Sequence, residues 1–186
     1  MRRPKNAGVS LMELMIAIVI VAILTVMTYV LLFASIQSFS AGVTAAALNG
    51  QARDLLERLF AEIVDAGISS LQPPFPNGSS SLTFQRNLGY SAGALTFDTP
   101  ATLSFAYAPG EANDGIDNNN DGRIDEGRLM RIKDGDTVVL SNDLAEGGIA
   151  FTQNGNAIRI VVTLEKVESP GRVLRTVSEV TVQVRN

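Results

Sequence analysis

Two stretches of this 186-residue chain hold side chains whose types and spacing could do chemistry. The first centres on Glu13, a lone carboxylate at the head of an apolar run; after it no charged residue appears until Arg53. Carrying a carboxylate to the bilayer centre costs about 2.5–3.5 kcal/mol, so an acid at the edge of such a run is a functional candidate. If the chain were cut after Gly8, a new α-amino group on Val9 would lie one helical turn from Glu13. The two ions would then offset much of each other's desolvation cost. The second stretch is acidic and runs over residues 114–127. From Asp117 its spacing matches the first half of a calcium loop, D-x-[DN]-x-[DN]-G. Oxygens from Asp117, Asn119 and Asp121, the backbone carbonyl of Arg123, and Asp125 would converge on one hard cation, Ca²⁺ by preference. Gly122 permits the sharp turn, and Ile124 stands where such loops tuck an apolar side chain inward. Arg128 occupies the position of the usual closing Glu, which leaves Glu126 or Asp114 as the substitute ligand.

The elements that must position these groups follow from the pattern of charge and apolar residues. Residues 14–34 form an uncharged run of about the 20 residues a helix needs to cross a bilayer. Arg2, Arg3 and Lys5 precede it and should stay cytoplasmic under the positive-inside rule. The run is longer than a secretory signal's h-region of about 7–15 residues, and Glu13 interrupts its start. With no Cys to carry a lipid, a lipoprotein signal is excluded.

The helix should continue beyond the apolar run, because Gly42 is the lone breaker before Gly50 and a single Gly costs only about 1 kcal/mol. From Leu48 the pattern turns amphipathic: Leu48, Ala52, Leu55, Leu56, Leu59, Ile63 and Ala66 share one face. Asp54 and Arg58 on the opposite face have the better orientation for an i, i+4 ion pair. Gly67 reads as the stop. A helix over residues 9–66 would span about 85 Å. The prolines and glycine of residues 72–81 then read as a linker.

Beyond the linker the chain reads as strand. Residues 82–84, 94–97, 102–107, 128–132, 137–140, 149–152, 157–164 and the alternating stretch around Leu174–Val184 carry the β signal. Asp134-Gly135 and Asn154-Gly155 mark two hairpin turns. One face of the later strands is apolar (Ile158, Ile160, Val162, Leu164) and the other polar, as in a half-buried antiparallel sheet. The amphipathic helix supplies its cover, giving an α+β fold.

Gly8-Val9-Ser10-Leu11-Met12-Glu13-Leu14-Met15-Ile16-Ala17 closely resembles the class III signal of type IV pilins and type II secretion pseudopilins. The resemblance implies cleavage between Gly8 and Val9 by a prepilin peptidase that also methylates the new amino terminus. It implies that Glu13 sets subunit register in a filament. Val9 departs from the Phe usual in the family. Residues 51–67 resemble, more weakly, the second helical half of minor pilins of the PilW and pseudopilin J type. The implied organisation is a leader (1–8), a transmembrane or filament-core helix (9–34), its amphipathic continuation (35–67) and a β-rich domain (68–186). The implied partners are the peptidase and other pilins, with the inner membrane as host before assembly and the carboxy-terminal domain periplasmic.

Composition narrows the function further. The formal charge is −4, and loss of Arg2, Arg3 and Lys5 with the leader takes it to −7. An acidic exported domain gives no support for nucleic-acid binding, which demands a basic surface. The absence of Cys and His removes disulfides, imidazole metal sites and the usual nucleophile–base pairs, so no enzyme is expected. The expected role is a minor pilin or pseudopilin that helps assemble or prime a fibre. The rival is a membrane-anchored, Ca²⁺-dependent binding module of adhesin type, which would keep its leader.

Overall fold

The computed structural model describes residues 10–72, 78–91, 93–168 and 171–184. The chain divides into two compact units, Met1–Gly42 and Val43–Asn186. The first helix, α1 (Leu11–Ile63), runs from one unit into the other without a break. Gly42 and Gly50 both lie inside it, with nothing within 4 Å of where a Cβ would stand.

In the first unit the helix is apolar all round and its side chains are exposed. Over an 18-residue window its mean hydropathy reaches 2.9, long and apolar enough to cross a membrane. Thr25 and Thr28 return their hydroxyls to the carbonyls of Val21 and Leu24 at 2.8 Å, so neither needs water.

In the second unit the helix carries a single buried stripe, Leu48, Ala52, Leu55, Leu56, Leu59 and Ile63, at the spacing the sequence predicts. The stripe lies on an antiparallel sheet. Its strands are β1 (Ser81–Phe84), β4 (Ala101–Tyr107), β5 (Gly127–Lys133), β6 (Asp136–Asn154), β7 (Ala157–Glu168) and β8 (Arg172–Gln183), in the order β1-β4-β5-β6-β7-β8. A separate hairpin pairs β2 (Asn87–Ser91) with β3 (Ala94–Phe97). The expected α+β arrangement, one long helix packed on a carboxy-terminal antiparallel sheet, is what forms.

Packing follows from alternation. Ile158, Ile160, Val162 and Leu164 turn inward with Leu103, Leu129, Phe151 and Val182, and all are essentially inaccessible. Fully burying such a side chain contributes about 1.5–3 kcal/mol each.

Several expectations are corrected. The helix ends at Ile63 rather than Ala66, and Gly67 is not its left-handed cap: its φ is −77°. Instead the Gly67 amide donates to the Gln85 carbonyl, and a Cβ there would sit 2.3 Å from the Phe97 ring. Small size, not backbone freedom, is what that position needs. The ion pair that forms on the exposed face is Arg53–Glu57 at 3.1 Å, rather than one between Asp54 and Arg58. The two segments read as separate strands near residues 137–140 and 149–152 are parts of one bent strand, β6. Its first half pairs with β5 and its second with β7, and the register jumps between Leu144 and Ile149, where Gly147 and Gly148 stand. The second hairpin turn falls on Gly155 and Asn156, with φ +59° at Gly155. Half of the linker, residues 73–77, lies outside the described residues.

Candidate functional site

The cleavage and methylation positions, Gly8 and Val9, and the basic leader with Arg2, Arg3 and Lys5 lie outside the described residues. The description starts at Ser10, whose carbonyl accepts the Leu14 amide at 3.1 Å and whose Oγ accepts the Glu13 amide at 3.2 Å. Ser10 is thus the N-cap of α1 and Glu13 its third residue, the S-x-x-E spacing of a capping box. A carboxylate in the first turn also faces the positive end of the helix dipole. Ser10-Leu11-Met12-Glu13 already spells this cap out in sequence. Glu13 is exposed, as are its apolar neighbours Leu11, Met12 and Leu14.

The acidic loop occupies residues 108–126, between the paired ends of β4 and β5, where Tyr107 stands opposite Gly127. A bond from the Ala108 amide to the Glu126 carbonyl at 3.0 Å closes its neck. Inside it the predicted ligands wind the backbone into successive turns. The Asp117 carboxylate accepts the amides of Asp121 (3.2 Å) and Gly122 (2.8 Å). Asn119 Oδ1 also takes the Asp121 amide at 2.9 Å, and Asp121 takes the Arg123 amide at 2.9 Å. Gly122, at φ +90°, makes the turn that its residue type permits. Asp114 accepts the Ile116 amide and the Asn118 side chain, each at 3.0 Å.

Asp125 does something else. It holds a positive φ of 52°, is buried, and its carboxylate accepts the amides of Gly115 (2.9 Å) and Asp114 (3.2 Å). It therefore ties the carboxy-terminal end of the loop to its beginning. Among the described residues no three Asp, Glu, His or Cys side chains stand together as a ready metal cluster.

Two participants were not foreseen. The Arg123 side chain, only 14% exposed, reaches Asp121 at 2.9 Å, Glu126 at 3.6 Å and Asp143 of β6 at 3.9 Å. Its residue type in an acidic loop was the available signal. Glu111 lies before the motif and accepts the Asn119 amide at 2.7 Å. Glu126 is wholly buried; its Oε1 accepts the Asn119 side-chain amide at 2.7 Å, whereas its Oε2 has no hydrogen-bond partner. Burial pushes the Glu126 carboxyl above the usual carboxylate range, against the pull of Asn119 and Arg123. Burial also raises Asp121, but the hydrogen bonds and charge of Arg123 outweigh it and hold that carboxyl low. Desolvation works against the Arg123 cation, and Asp121, Glu126 and Asp143 more than compensate. Chemically, the loop is a set of acids partly neutralised by one internal guanidinium, with two buried carboxylate oxygens, Oε2 of Glu111 and Oε2 of Glu126, left without a hydrogen bond.

Residues 3–29 match the family described as the prokaryotic N-terminal methylation motif. The amino terminus thus carries the class III signal of type IV pilins and pseudopilins, and the match spans Gly8, Val9 and Glu13. No curated protein and no solved structure matches the chain.

Proposed function

We propose that this chain is a minor pilin or pseudopilin, a structural and non-catalytic subunit of a type IV pilus or type II secretion pseudopilus. A prepilin peptidase cuts between Gly8 and Val9 and methylates Val9. Before assembly the apolar half of α1 anchors the protein in the inner membrane, with the sheet domain on the periplasmic side; afterwards the same helix packs among those of other pilins. One observation carries the reading: the methylation motif over residues 3–29 opens a helix that runs unbroken to Ile63 and ends as the cover of a sheet. A membrane anchor alone does not need that combination. Intact-mass analysis of protein extracted from membranes should find a chain beginning at methylated Val9, without Arg2, Arg3 and Lys5. A chain still beginning at Met1 overturns the proposal and favours the anchored, Ca²⁺-dependent binding module.

We further propose that the acidic loop takes Ca²⁺ through oxygens of Asp117, Asn119 and Asp121, the Arg123 carbonyl and Glu126, with Asp125 as a contributor once its amide bonds open. The buried, unpartnered Oε2 of Glu126 favours this, since a buried carboxylate oxygen without a partner is costly. Arg123 must leave Asp121 for the cation to enter, which argues for weak binding with a Kd of about 10⁻⁴–10⁻³ M. At a hundredfold excess over Kd, Ca²⁺ should stabilise the fold by about 2.7 kcal/mol. At roughly 2–4 °C per kcal/mol for a chain of this size, the full-length protein in detergent should melt several degrees higher with Ca²⁺ than with chelator. Mg²⁺ should do little, because it demands a tighter octahedron. Identical melting in all three conditions, or an undiminished response in Asp117→Ala with Asp121→Ala, would reduce the loop to a self-capped turn.

A further inference from the structure

Arg123 holds one half of its guanidinium in the acidic loop and the other half on β6. On the loop side Nη2 lies 2.9 Å from Asp121 and 3.6 Å from Glu126, and Nε lies 3.3 Å from Asp121. On the β6 side Nη1 donates to the Asn142 carbonyl at 3.4 Å and stands 3.9 Å from the Asp143 carboxylate. That last distance is an ion pair without a hydrogen bond, since N⁺–H···O⁻ bonds span about 2.7–2.9 Å. A shift of about 1 Å toward β6 would complete the bond.

Asp143 is placed to receive it. Its side chain is half-buried, and among the described residues Arg123 is its one ion-pair partner. It lies on the wall of a cleft of about 210 Å³ between β6 and α1, with Asp54 and Arg58 on the helix side. Although Arg58 lines the same cleft, it forms no ion pair with Asp143.

A cation in the loop would force the guanidinium to choose. Asp121 and Glu126 are carboxylates that Arg123 and an entering Ca²⁺ would both use. The unpartnered Oε2 of the wholly buried Glu126 is the oxygen that the guanidinium leaves unsatisfied. Two cations on the same acids repel each other, and at 14% exposure Arg123 has little water to turn to. A buried charge stripped of its partner is strongly destabilising. The loaded state therefore needs another carboxylate for Arg123, outside the coordination sphere, and Asp143 is the one in reach.

We propose that Asp143 is a positioning residue for the cation site. When Ca²⁺ enters the loop, the Arg123 guanidinium passes from Asp121 and Glu126 to Asp143, which sets the affinity without touching the metal. Only the side chain has to move, so the Arg123 carbonyl stays available as a ligand. The inference rests on the loop being a Ca²⁺ site.

The test is a double-mutant cycle on the full-length protein in detergent, with the Ca²⁺ Kd measured by calorimetric titration at fixed salt. Arg123→Gln removes the competitor and should bind Ca²⁺ at least about tenfold more tightly than the wild type. Arg123→Lys keeps a cation there and should stay near the wild type. Asp143→Asn leaves Arg123 without a destination and should weaken binding about tenfold. In the Arg123→Gln background the same Asp143→Asn change should alter Kd by less than about threefold. Glu146→Gln removes an equal charge from an exposed position on β6 and should also stay within about threefold of the wild type. With chelator, Arg123→Gln should melt below the wild type, because Asp121, Glu126 and Asp143 lose their shared cation. Its rise on adding Ca²⁺ should be the larger. Where Arg123→Gln proves too unstable to purify, Asp143→Asn against Glu146→Gln carries the test.

An equal loss from Asp143→Asn with and without Arg123 would make Asp143 a direct ligand or a distant charge, and would overturn the transfer. So would an Arg123→Gln protein that binds no more tightly than the wild type, or a loss in Glu146→Gln equal to that in Asp143→Asn. Should neither the wild type nor Arg123→Gln bind Ca²⁺, the cation site itself falls and this inference with it. Binding with an additive cycle sinks this inference alone.

Discussion

The Glu13→Val protein should insert into the membrane as well as the wild type and be left out of the fibre. Insertion tolerates the change because it removes the one charge between the leader and Arg53, and an apolar residue in that place lowers the transfer cost. Assembly does not tolerate it if Glu13 compensates the ammonium of a cleaved amino terminus among packed helices. An unpaired ammonium in that setting is an uncompensated buried charge, and breaking such a pair costs about 3–5 kcal/mol per subunit. Glu13 has a second role that could mimic this result, since it sits in the first turn of α1 beside the Ser10 cap. The two are separable. Ser10→Ala removes the Oγ that accepts the Glu13 amide, at a cost of about 1 kcal/mol, and leaves the carboxylate in place. Comparing sheared-fibre and membrane fractions should find Ser10→Ala in both and Glu13→Val in the membrane alone. Normal incorporation of Glu13→Val would leave its carboxylate as a first-turn charge facing the helix dipole and nothing more.

Much of this arrangement is legible in residue order, for physical reasons that differ by region. The helix reads out clearly because its two halves carry strong and different signals, uniform apolarity and then a 3.6-residue stripe from Leu48 to Ile63. β7 reads out because it has one buried face, and Ile158, Ile160, Val162 and Leu164 alternate in sequence as they do in space. What sequence could not convey depends on contacts between distant residues. Gly67 looks like a helix stop until Phe97, thirty positions later, is seen to fill the space a side chain would need. Arg123 looks like a provider of a backbone carbonyl until its guanidinium is seen reaching Asp121, Glu126 and, from β6, Asp143. Asp125 fits a ligand spacing, yet its carboxylate is taken by two amides ten and eleven residues earlier. Local spacing identifies which groups could serve a site; the closure of the loop decides which are free to do so.

The loop also reaches β6 through Arg123, just before the bend at Gly147 and Gly148. A Cβ at Gly148 would lie 2.5 Å from the Thr163 carbonyl oxygen, 2.7 Å from that of Ala145 and 2.9 Å from the Ala145 nitrogen. All three are backbone atoms, so no side-chain rotation relieves the overlap: β7 must move away from β6 at Thr163, and the bend of β6 itself must open at Ala145. Overpacking usually costs about 1–3 kcal/mol and more where nothing can yield, so Gly148→Ala should cost roughly 3 kcal/mol or more. That corresponds to a melting temperature lower by roughly 6–12 °C. Gly147 beside it provides the contrast. It has a positive φ of 56° but open space where its Cβ would be, so Gly147→Ala meets only the left-handed strain of about 1–2 kcal/mol. The effect should reach the acidic loop, because Leu144 pairs with both Gly127 and Leu164, and Arg123 reaches Asn142 and Asp143 just before the bend. Moving this part of β6 would therefore loosen the anchor of the loop as well as the core. Thermal melts of the two variants should rank Gly148→Ala well below Gly147→Ala. The reverse order would mean that backbone freedom at the bend, and not the close approach of the Thr163 and Ala145 backbone, is what glycine supplies there.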